Sequence, residues 1–313
     1  MRVVFMGTPD FSIPVLEQLI ESQYQVIAVY TQPDKQAKRG LVPTPSAVKK
    51  TALKYGLQVF QPTRLKEPAE IKRLTDLKPD AIVVAAFGQI LPQSMLDIPE
   101  FGCLNVHPSL LPKYRGASPV ASAVLAGDEQ TGVTIMLLDA EMDTGAILSQ
   151  VTFHIEPIDT TGSLTMKLAQ EGAMLLLETL PLWFERQLTP QPQDECKASY
   201  TDPIYKSDGE INWQLGAIEI WRQIRAFQPW PGCYTWWKGK ILKIIDAVPL
   251  ARKDISVPGK VVELASPNSI GVDTGDGVLA LSVIQLESKR VLSAVNFARG
   301  QREFVGSILG SNY

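Results

Sequence analysis

The feature that most constrains the fold is a regular alternation of short β-rich runs with amphipathic helical stretches along the first half of the chain. The apolar runs predict strands at 2–6, 25–31, 57–60, 81–86, 103–106, 133–138 and 147–154. The helical stretches between them are 13–22, 46–55, 67–77 and 119–126, and a long amphipathic helix is predicted at 163–187. Strands that alternate with helices predict a mostly parallel, Rossmann-like sheet covered on both faces.

The last third of the chain has a different pattern. A polar, proline-rich stretch at 190–208 has the composition of a linker and precedes a helical stretch at 215–226. Five short strands follow, separated by turn signals, at 234–237, 240–247, 259–265, 269–273 and 278–286. This spacing predicts a small OB-like β-barrel. We therefore expect an α/β domain at 1–189, a linker at 190–208 and a barrel domain at 209–313.

Composition excludes several classes of protein. A formal net charge of −3 over 313 residues gives no sign of a polycation that coats nucleic acid. Cys103, Cys196 and Cys233 lie far apart with no CxxC pair, which indicates a reducing compartment, and two histidines are too few for a His-rich metal site. No apolar run approaches about 18 residues, so we expect no membrane span or signal peptide. A cytoplasmic protein with no metal and no obligate protein partner is predicted.

The turn after the first strand disfavours a dinucleotide-binding enzyme. The segment from Gly7 to Ser12 has the strand–turn–helix setting of a nucleotide site. A GxGxxG loop, however, requires glycines where Pro9 and Ser12 stand. Pro9 also removes a backbone N–H that a pyrophosphate would need.

Two polar side chains lie on one predicted strand near its carboxyl end. Side chains alternate between the faces of a strand, so Asn105 and His107 project on the same side. Open α/β sheets bind ligands at this edge. A lone histidine is more often a structural residue, but here an amide stands two residues away and Pro108 ends the strand beside it. We interpret the pair as a candidate catalytic donor and titratable group.

An acidic loop follows the predicted strand 133–138. It runs from Asp139 to Gly145 and contains Asp143-Thr144-Gly145, which alone is ordinary turn chemistry. A carboxylate beside an imidazole can orient the ring and stabilise its charged form. The chain shows no Gly-x-Ser-x-Gly elbow and no activated cysteine, which favours direct transfer over a covalent enzyme intermediate. Strand alternation cannot show that Asp143 meets His107.

Together, the segments 105–116 and 139–145 resemble the signature of the 10-formyltetrahydrofolate-dependent formyltransferases. The shared elements are Asn-x-His, Ser-Leu-Leu-Pro and a downstream Asp-Thr-Gly. The resemblance implies that Asn105, His107 and Asp143 are catalytic, that 10-formyltetrahydrofolate is a co-substrate and that no metal takes part. It further implies folate contacts from two segments and one acidic residue: Ser109, Leu110, Leu111, Pro112, Phe87, Gly88, Gln89, Ile90, Leu91 and Asp139.

Four further segments, 5–11, 30–34, 225–231 and 274–277, are similar to the methionyl-tRNA formyltransferase branch of this family, and that similarity runs nearly end to end. Glycinamide ribonucleotide formyltransferases are similar only over the first domain. The resemblance implies formyl transfer to the α-amino group of methionine on initiator methionyl-tRNA. The C-terminal OB-like domain would then bind tRNA.

The stretch 31–45 is long for a connection between strand and helix, and it is basic. By resemblance it would approach the tRNA acceptor stem through Lys35, Lys38 and Arg39. A departure from the family is that Leu41-Val42 follow where other members often carry basic residues. A solvent-exposed loop without this role explains the same residues.

Three other functions remain open from the sequence. A formyltransferase that acts on a small amine or a nucleotide sugar would share the first domain and the catalytic residues. A folate hydrolase would share them too, with water in place of the amine. A non-catalytic OB-type nucleic-acid-binding protein would explain the C-terminal part but not the combination of Asn105, His107 and Asp143.

Overall fold

A computed structural model describes residues 1–37, 42–252, 256–265 and 269–310. By the distances between Cα atoms, the chain divides into two compact units. The first unit comprises residues 1–119, 130–154 and 163–202. The second comprises residues 120–129, 155–162 and 203–313. The boundaries 1–189, 190–208 and 209–313 expected from the sequence stay a prediction.

The elements up to residue 201 alternate between strand and helix for most of their length, as predicted. The strands are β1 Arg2–Gly7, β2 Gln25–Tyr30, β3 Lys35–Ala37, β4 Val42–Thr44, β5 Val59–Phe60, β6 Ala81–Ala85, β7 Cys103–His107, β8 Arg115–Gly116, β9 Gln130–Leu137, β10 Ile147–His154 and β11 Tyr200–Thr201. The helices are α1 Ser12–Glu21, α2 Ala47–Lys54, α3 Pro68–Leu77, α4 Gln93–Leu96, α5 Pro119–Ala126 and α6 Thr161–Phe184. A 3₁₀ turn covers Glu195–Lys197.

A seven-stranded sheet with the order β10-β9-β7-β6-β1-β2-β5 forms the centre of the first unit. Five neighbouring strands run parallel to one another, in the order β7, β6, β1, β2 and β5. By contrast, β9 is antiparallel to β7, and β10 is antiparallel to β9. The central strands β6 and β7 are buried along their whole length, which explains their continuous apolar runs. The mostly parallel, Rossmann-like sheet is therefore confirmed.

The long helix α6 packs closely against β7 and β9. A Cβ atom at Gly172 would stand 2.7 Å from Val106 Cγ1 on β7 and 3.1 Å from Val133 Cγ1 on β9. Any larger side chain there would push the helix away, so a glycine allows this close packing. Val106 thus contacts the helix that covers one face of β7.

Several short elements were not anticipated. The stretch 31–45, interpreted as a loop, contains the antiparallel pair β3–β4 on either side of residues outside the described ranges. The stretch 190–202, interpreted as linker, is bound to the first unit: Gln191 pairs with Ile147, and β11 pairs in parallel with β8. The polar composition of this stretch therefore does not indicate a free connection.

The C-terminal unit contains an antiparallel sheet. Its elements are α7 Ala217–Ala226, β12 Cys233–Trp237, β13 Lys240–Leu250, β14 Val261–Leu264, β15 Ser269–Asp273, β16 Val278–Leu286, β17 Leu292–Ser293 and α8 Ala294–Gly300, with a 3₁₀ turn at Lys206–Gly209. The strand order is β12-β13-β16-β15-β14, and β17 pairs with β16. The final segment bridges the two edges, because Val261 N–H on β14 donates to Ser307 O and Gly310 N–H to Trp236 O on β12. This arrangement confirms the small, OB-like antiparallel domain.

No helix within the described ranges combines the length and the apolar character needed to cross a lipid bilayer.

Candidate active site

A cavity of about 530 Å³ lies beside the central strands of the first unit. This volume is in the range of small-molecule sites. Four stretches form it: the end of β6 with the residues after it, the end of β7, the residues from β8 to the start of α5, and the segment that follows β9. The lining residues are Val84, Ala86, Phe87, Gly88, Gln89, Ile90, Leu91, Asn105, Val106, His107, Pro108, Gly116, Ala117, Pro119, Leu138, Asp139, Glu141, Met142 and Asp143.

Asn105 and His107 stand on β7 and both line this cavity. They are 8 % and 4 % exposed, so both side chains are largely buried in the cavity wall. Polar groups that are buried act more strongly than groups in water, because solvent screens them less. The period-two geometry of a strand brings this amide and this imidazole to one wall.

The imidazole of His107 is oriented by a backbone carbonyl. Its Nε2 atom lies 3.1 Å from Tyr114 O. A carbonyl oxygen only accepts hydrogen bonds, so Nε2 carries a proton in the neutral ring. The other nitrogen, Nδ1, then has the free lone pair. Nδ1 lies 3.7 Å from Asp143 Oδ2, so a proton taken up there would face a carboxylate.

Asp143 reaches His107 through a loop, not along a strand. Because β9 runs opposite to β7, its end lies beside the start of β7, with Leu137 opposite Leu104. The segment 139–145 must therefore return toward His107. The carboxylate is held there by the Gly116 N–H, which donates to Asp143 Oδ2 at 2.8 Å. The backbone of Asp143 has a φ of +57°, a left-handed conformation that is uncommon outside glycine.

The residues after β6 form the apolar part of the cavity. Phe87 is buried, Gly88 has a φ of +84°, and Ile90 is 66 % exposed. Gln89 and Leu91 complete this stretch, and Asp139 contributes to the lining from the acidic loop. Asp139 also stabilises its own loop, because Oδ1 accepts from Thr144 Oγ1 at 2.7 Å. A flat aromatic group would find both apolar contact and hydrogen-bonding atoms here.

The other predicted folate segment, Ser109–Pro112, lies outside the cavity lining described above. Ser109 is fully buried, and its Oγ donates to Lys113 O at 2.6 Å. Thr134 Oγ1 on β9 donates to Ser109 O and accepts from the Leu111 N–H. These bonds attach the segment to β9 and so fix the position of the residues that follow β7. Contact of Ser109, Leu110, Leu111 or Pro112 with folate stays a prediction.

Of the basic residues predicted to meet tRNA, Lys35 begins β3 and is exposed. It lines a second cavity of about 340 Å³, together with Lys50 on α2 and Thr8 after β1. Lys38 and Arg39 lie outside the described residues, as does Leu41.

The chemistry available in the larger cavity is that of proton transfer and hydrogen bonding. Among the described residues that line it, none is Ser, Thr, Cys or Lys. Cys103 stands at the start of β7, and burial raises the pKa of its thiol to about 12, so it is a poor nucleophile. Within the described ranges, no group of three or more His, Cys, Asp or Glu could hold a metal ion.

Sequence patterns missed part of this wall. Gly116, Ala117 and Pro119 line the cavity although no periodicity marks them. Their only signal was a position at, or just beyond, the end of the motif 105–116. Glu141 and Met142, which lie inside the acidic loop 139–145, also line the cavity and are exposed.

The sequence matches known protein families and a curated protein along most of its length. Residues 1–180 match the family model described as formyl transferase, and residues 203–302 match the model of the formyl transferase C-terminal domain. A methionyl-tRNA formyltransferase of Roseiflexus castenholzii is 46 % identical over 312 residues, which cover 99 % of each chain.

Two solved structures share the fold. The sugar 3N-formyl transferase WlaRD, crystallised with dTDP and 5-N-formyl-THF, aligns with a TM-score of 0.67 at 20 % identity over 93 % of this chain and 99 % of its own. HypX from Aquifex aeolicus in complex with tetrahydrofolic acid aligns with a TM-score of 0.65 at 20 % identity. That alignment covers 97 % of this chain and 47 % of HypX.

The contact of His107 with Tyr114 O predicts one tautomer of the neutral ring. In ¹⁵N spectra recorded at alkaline pH, Nε2 should carry the proton and Nδ1 should have the shift of an unprotonated nitrogen. Only His154 could be confused with it, because the chain has two histidines, and a His154→Gln variant removes that signal. A protonated Nδ1 would contradict this geometry.

Proposed function

The chain belongs to the methionyl-tRNA formyltransferase family of enzymes, and from this membership and the site we propose its reaction in detail. It transfers the formyl group of 10-formyltetrahydrofolate to the α-amino group of methionine on initiator methionyl-tRNA. The observation that carries the proposal is the convergence of Asn105, His107 and Asp143 on one cavity with an apolar wall.

The folate is proposed to bind in this cavity. Phe87 and Leu91 supply buried apolar surface, and Ile90 and Met142 supply exposed apolar surface at the opening. Burial of an aromatic ring against such side chains is favourable at roughly 25 cal/mol per Å² of apolar area. The formyl carbon would then face Asn105 and His107 on the opposite wall.

The chemistry follows from where charge develops. The attacking α-amine must be neutral, and its free pKa is about 7.7–8.0. As its nitrogen bonds to the formyl carbon, the carbonyl oxygen becomes an oxyanion, to which the Asn105 amide donates a hydrogen bond. His107 Nδ1 takes the proton from the amine, and Asp143 stabilises the resulting imidazolium across 3.7 Å.

Collapse of the tetrahedral intermediate completes the transfer. The bond between the formyl carbon and the folate nitrogen breaks, and that nitrogen receives the proton held by His107. The protein returns to its starting protonation state. The cavity offers no serine, threonine, cysteine or lysine among the described residues, and the proposed roles of His107 and Asp143 are proton transfer and charge stabilisation, so the amine is proposed to attack the formyl carbon directly.

The tRNA is proposed to contact two parts of the chain. The exposed Lys35 on β3 supplies positive charge, and Lys38 and Arg39 follow it in the sequence. The C-terminal antiparallel domain is of a type that commonly binds nucleic acid. This acceptor also supports a cytoplasmic location, where translation takes place.

The acceptor is tested by supplying 10-formyltetrahydrofolate with initiator methionyl-tRNA, with free methionine, with an amino-sugar nucleotide or with no amine. We expect rapid formyl transfer to methionyl-tRNA alone. Binding through phosphate contacts releases counterions, so kcat/KM for the tRNA should fall steeply as salt rises.

Equal activity on a small amine, with a flat salt dependence, would contradict the tRNA assignment. Hydrolysis of the folate without an amine would indicate the hydrolase. Nucleic-acid binding with no turnover of any substrate would indicate a binding protein.

The roles of the catalytic side chains are tested by truncation. Asn105→Ala should lower kcat by about 10²–10³-fold, because one oxyanion donor is lost. His107→Ala should lower it by about 10²–10⁴-fold, because the proton acceptor is lost. Rapid-quench kinetics at saturating substrates measure both, and the exposed His154→Ala is the matched control, for which kcat should not change. Near-normal turnover of folded His107→Ala would refute its assignment.

A further inference from the structure

A buried arginine stands next to the residue that binds the Asp143 carboxylate. Arg115 has no exposed surface, and its guanidinium donates to Glu195 Oε2 and Oε1 at 2.9 and 2.6 Å. It also donates to the Tyr200 hydroxyl at 3.0 Å, and Nε donates to Gln193 Oε1 at 3.0 Å. A buried charge requires such partners. All three lie in 191–201, which the sequence suggested was part of a linker.

Gln193 connects this arginine to the acidic loop. Its Nε2 donates to two backbone carbonyls, Asp143 O and Gly145 O, both at 2.8 Å. One side-chain amide therefore uses its acceptor on Arg115 and both donors on the loop. The Gly116 N–H, next to Arg115 in the chain, donates to Asp143 Oδ2. Three hydrogen bonds and the peptide bond between Arg115 and Gly116 therefore link Arg115, Gln193, Asp143 and Gly116 in a closed ring.

The conformation of Asp143 explains why such a ring is needed. Its φ of +57° is unfavourable for a residue with a side chain, and the neighbouring Glu141 and Met142 are exposed. Strained backbone persists where the surrounding structure specifies it. Here the two bonds from Gln193 hold the backbone, and the bond from Gly116 holds the carboxylate.

We infer that the segment 191–201, here named the strap, positions Asp143 for catalysis. Gln193 of the strap and its partner Arg115 on β8 are the positioning residues. The inference rests on the proposed catalytic role of Asp143. Neither Gln193 nor Arg115 lines the cavity as described, so both act through Asp143.

The strap is attached at both ends, independently of Gln193. Gln191 exchanges backbone hydrogen bonds with Ile147 on β10, and β11 pairs with β8. Glu195 is the exposed member: its side chain is 67 % exposed, and the Arg115 guanidinium lowers the pKa of its carboxyl. That carboxylate stays charged at neutral pH, which keeps the arginine paired.

The test replaces Gln193 rather than the fully buried arginine. Gln193→Glu keeps the size of the side chain and an acceptor for Arg115 but removes both donors to the loop. We expect kcat for formyl transfer to fall about 10- to 100-fold, because a displaced catalytic group costs rate, while KM for both substrates is retained. The matched control is the same substitution at an exposed glutamine outside the strap and the cavity lining, Gln58→Glu, which should leave kcat unchanged.

A double-mutant cycle separates positioning from general structural support. If Gln193 acts through Asp143, then Gln193→Glu should add little to the loss of kcat in Asp143→Asn. Gln193→Met, which lacks both charge and donors, provides the same cycle if the glutamate variant does not fold. Losses that multiply in the cycle, or normal kcat of folded Gln193→Glu, would overturn the inference. Full activity of Asp143→Asn alone would instead refute the proposed function.

Discussion

The hydrogen bond from the Gly116 N–H to the Asp143 carboxylate joins the two motifs of the site. One motif begins on β7 with Asn105 and ends at Gly116, and the other is the loop after β9. Without this bond, the Asp143 carboxylate would lose the contact that directs it toward His107, although Gln193 would still hold the Asp143 backbone. With it, the carboxylate lies 3.7 Å from Nδ1, close enough to stabilise an imidazolium. The proposed chemistry depends on that separation.

Local periodicity predicted the part of the site that lies on one strand. Asn105 and His107 are two residues apart on β7, and two-residue periodicity suffices to place both on the cavity wall. Asp143 was beyond such reasoning because β9 runs antiparallel to β7 and its loop must return along the sheet. Only the family resemblance connected the loop to His107. The same limit applies to Gly116–Pro119, whose place in the lining depends on long-range packing.

The polar composition of the stretch after α6 suggested a linker, whereas polar side chains of this stretch bind a buried arginine. The stretch after α6 is rich in proline, glutamine and acidic residues, as linkers are, yet Gln193 and Glu195 are bound to Arg115. Nothing in the sequence near Gln193 indicates that its hydrogen-bond partner is Arg115. The elements of the sheet, by contrast, were predicted with boundaries close to the observed ones, because each is defined by its own apolar pattern. The strand pair β3–β4 and the helix α8 were missed, since short elements carry too few residues to show a period.

In the proposed reaction the formyl group passes directly from the folate to the amine within one cavity. The most direct test incubates the enzyme with formyl-labelled 10-formyltetrahydrofolate and no acceptor, removes all small molecules, and then adds methionyl-tRNA. Direct transfer predicts that the protein carries no label by mass spectrometry and that no formylated product forms in the second step. Labelled protein that passes its formyl group to the added tRNA would show a covalent formyl-enzyme and would exclude direct transfer.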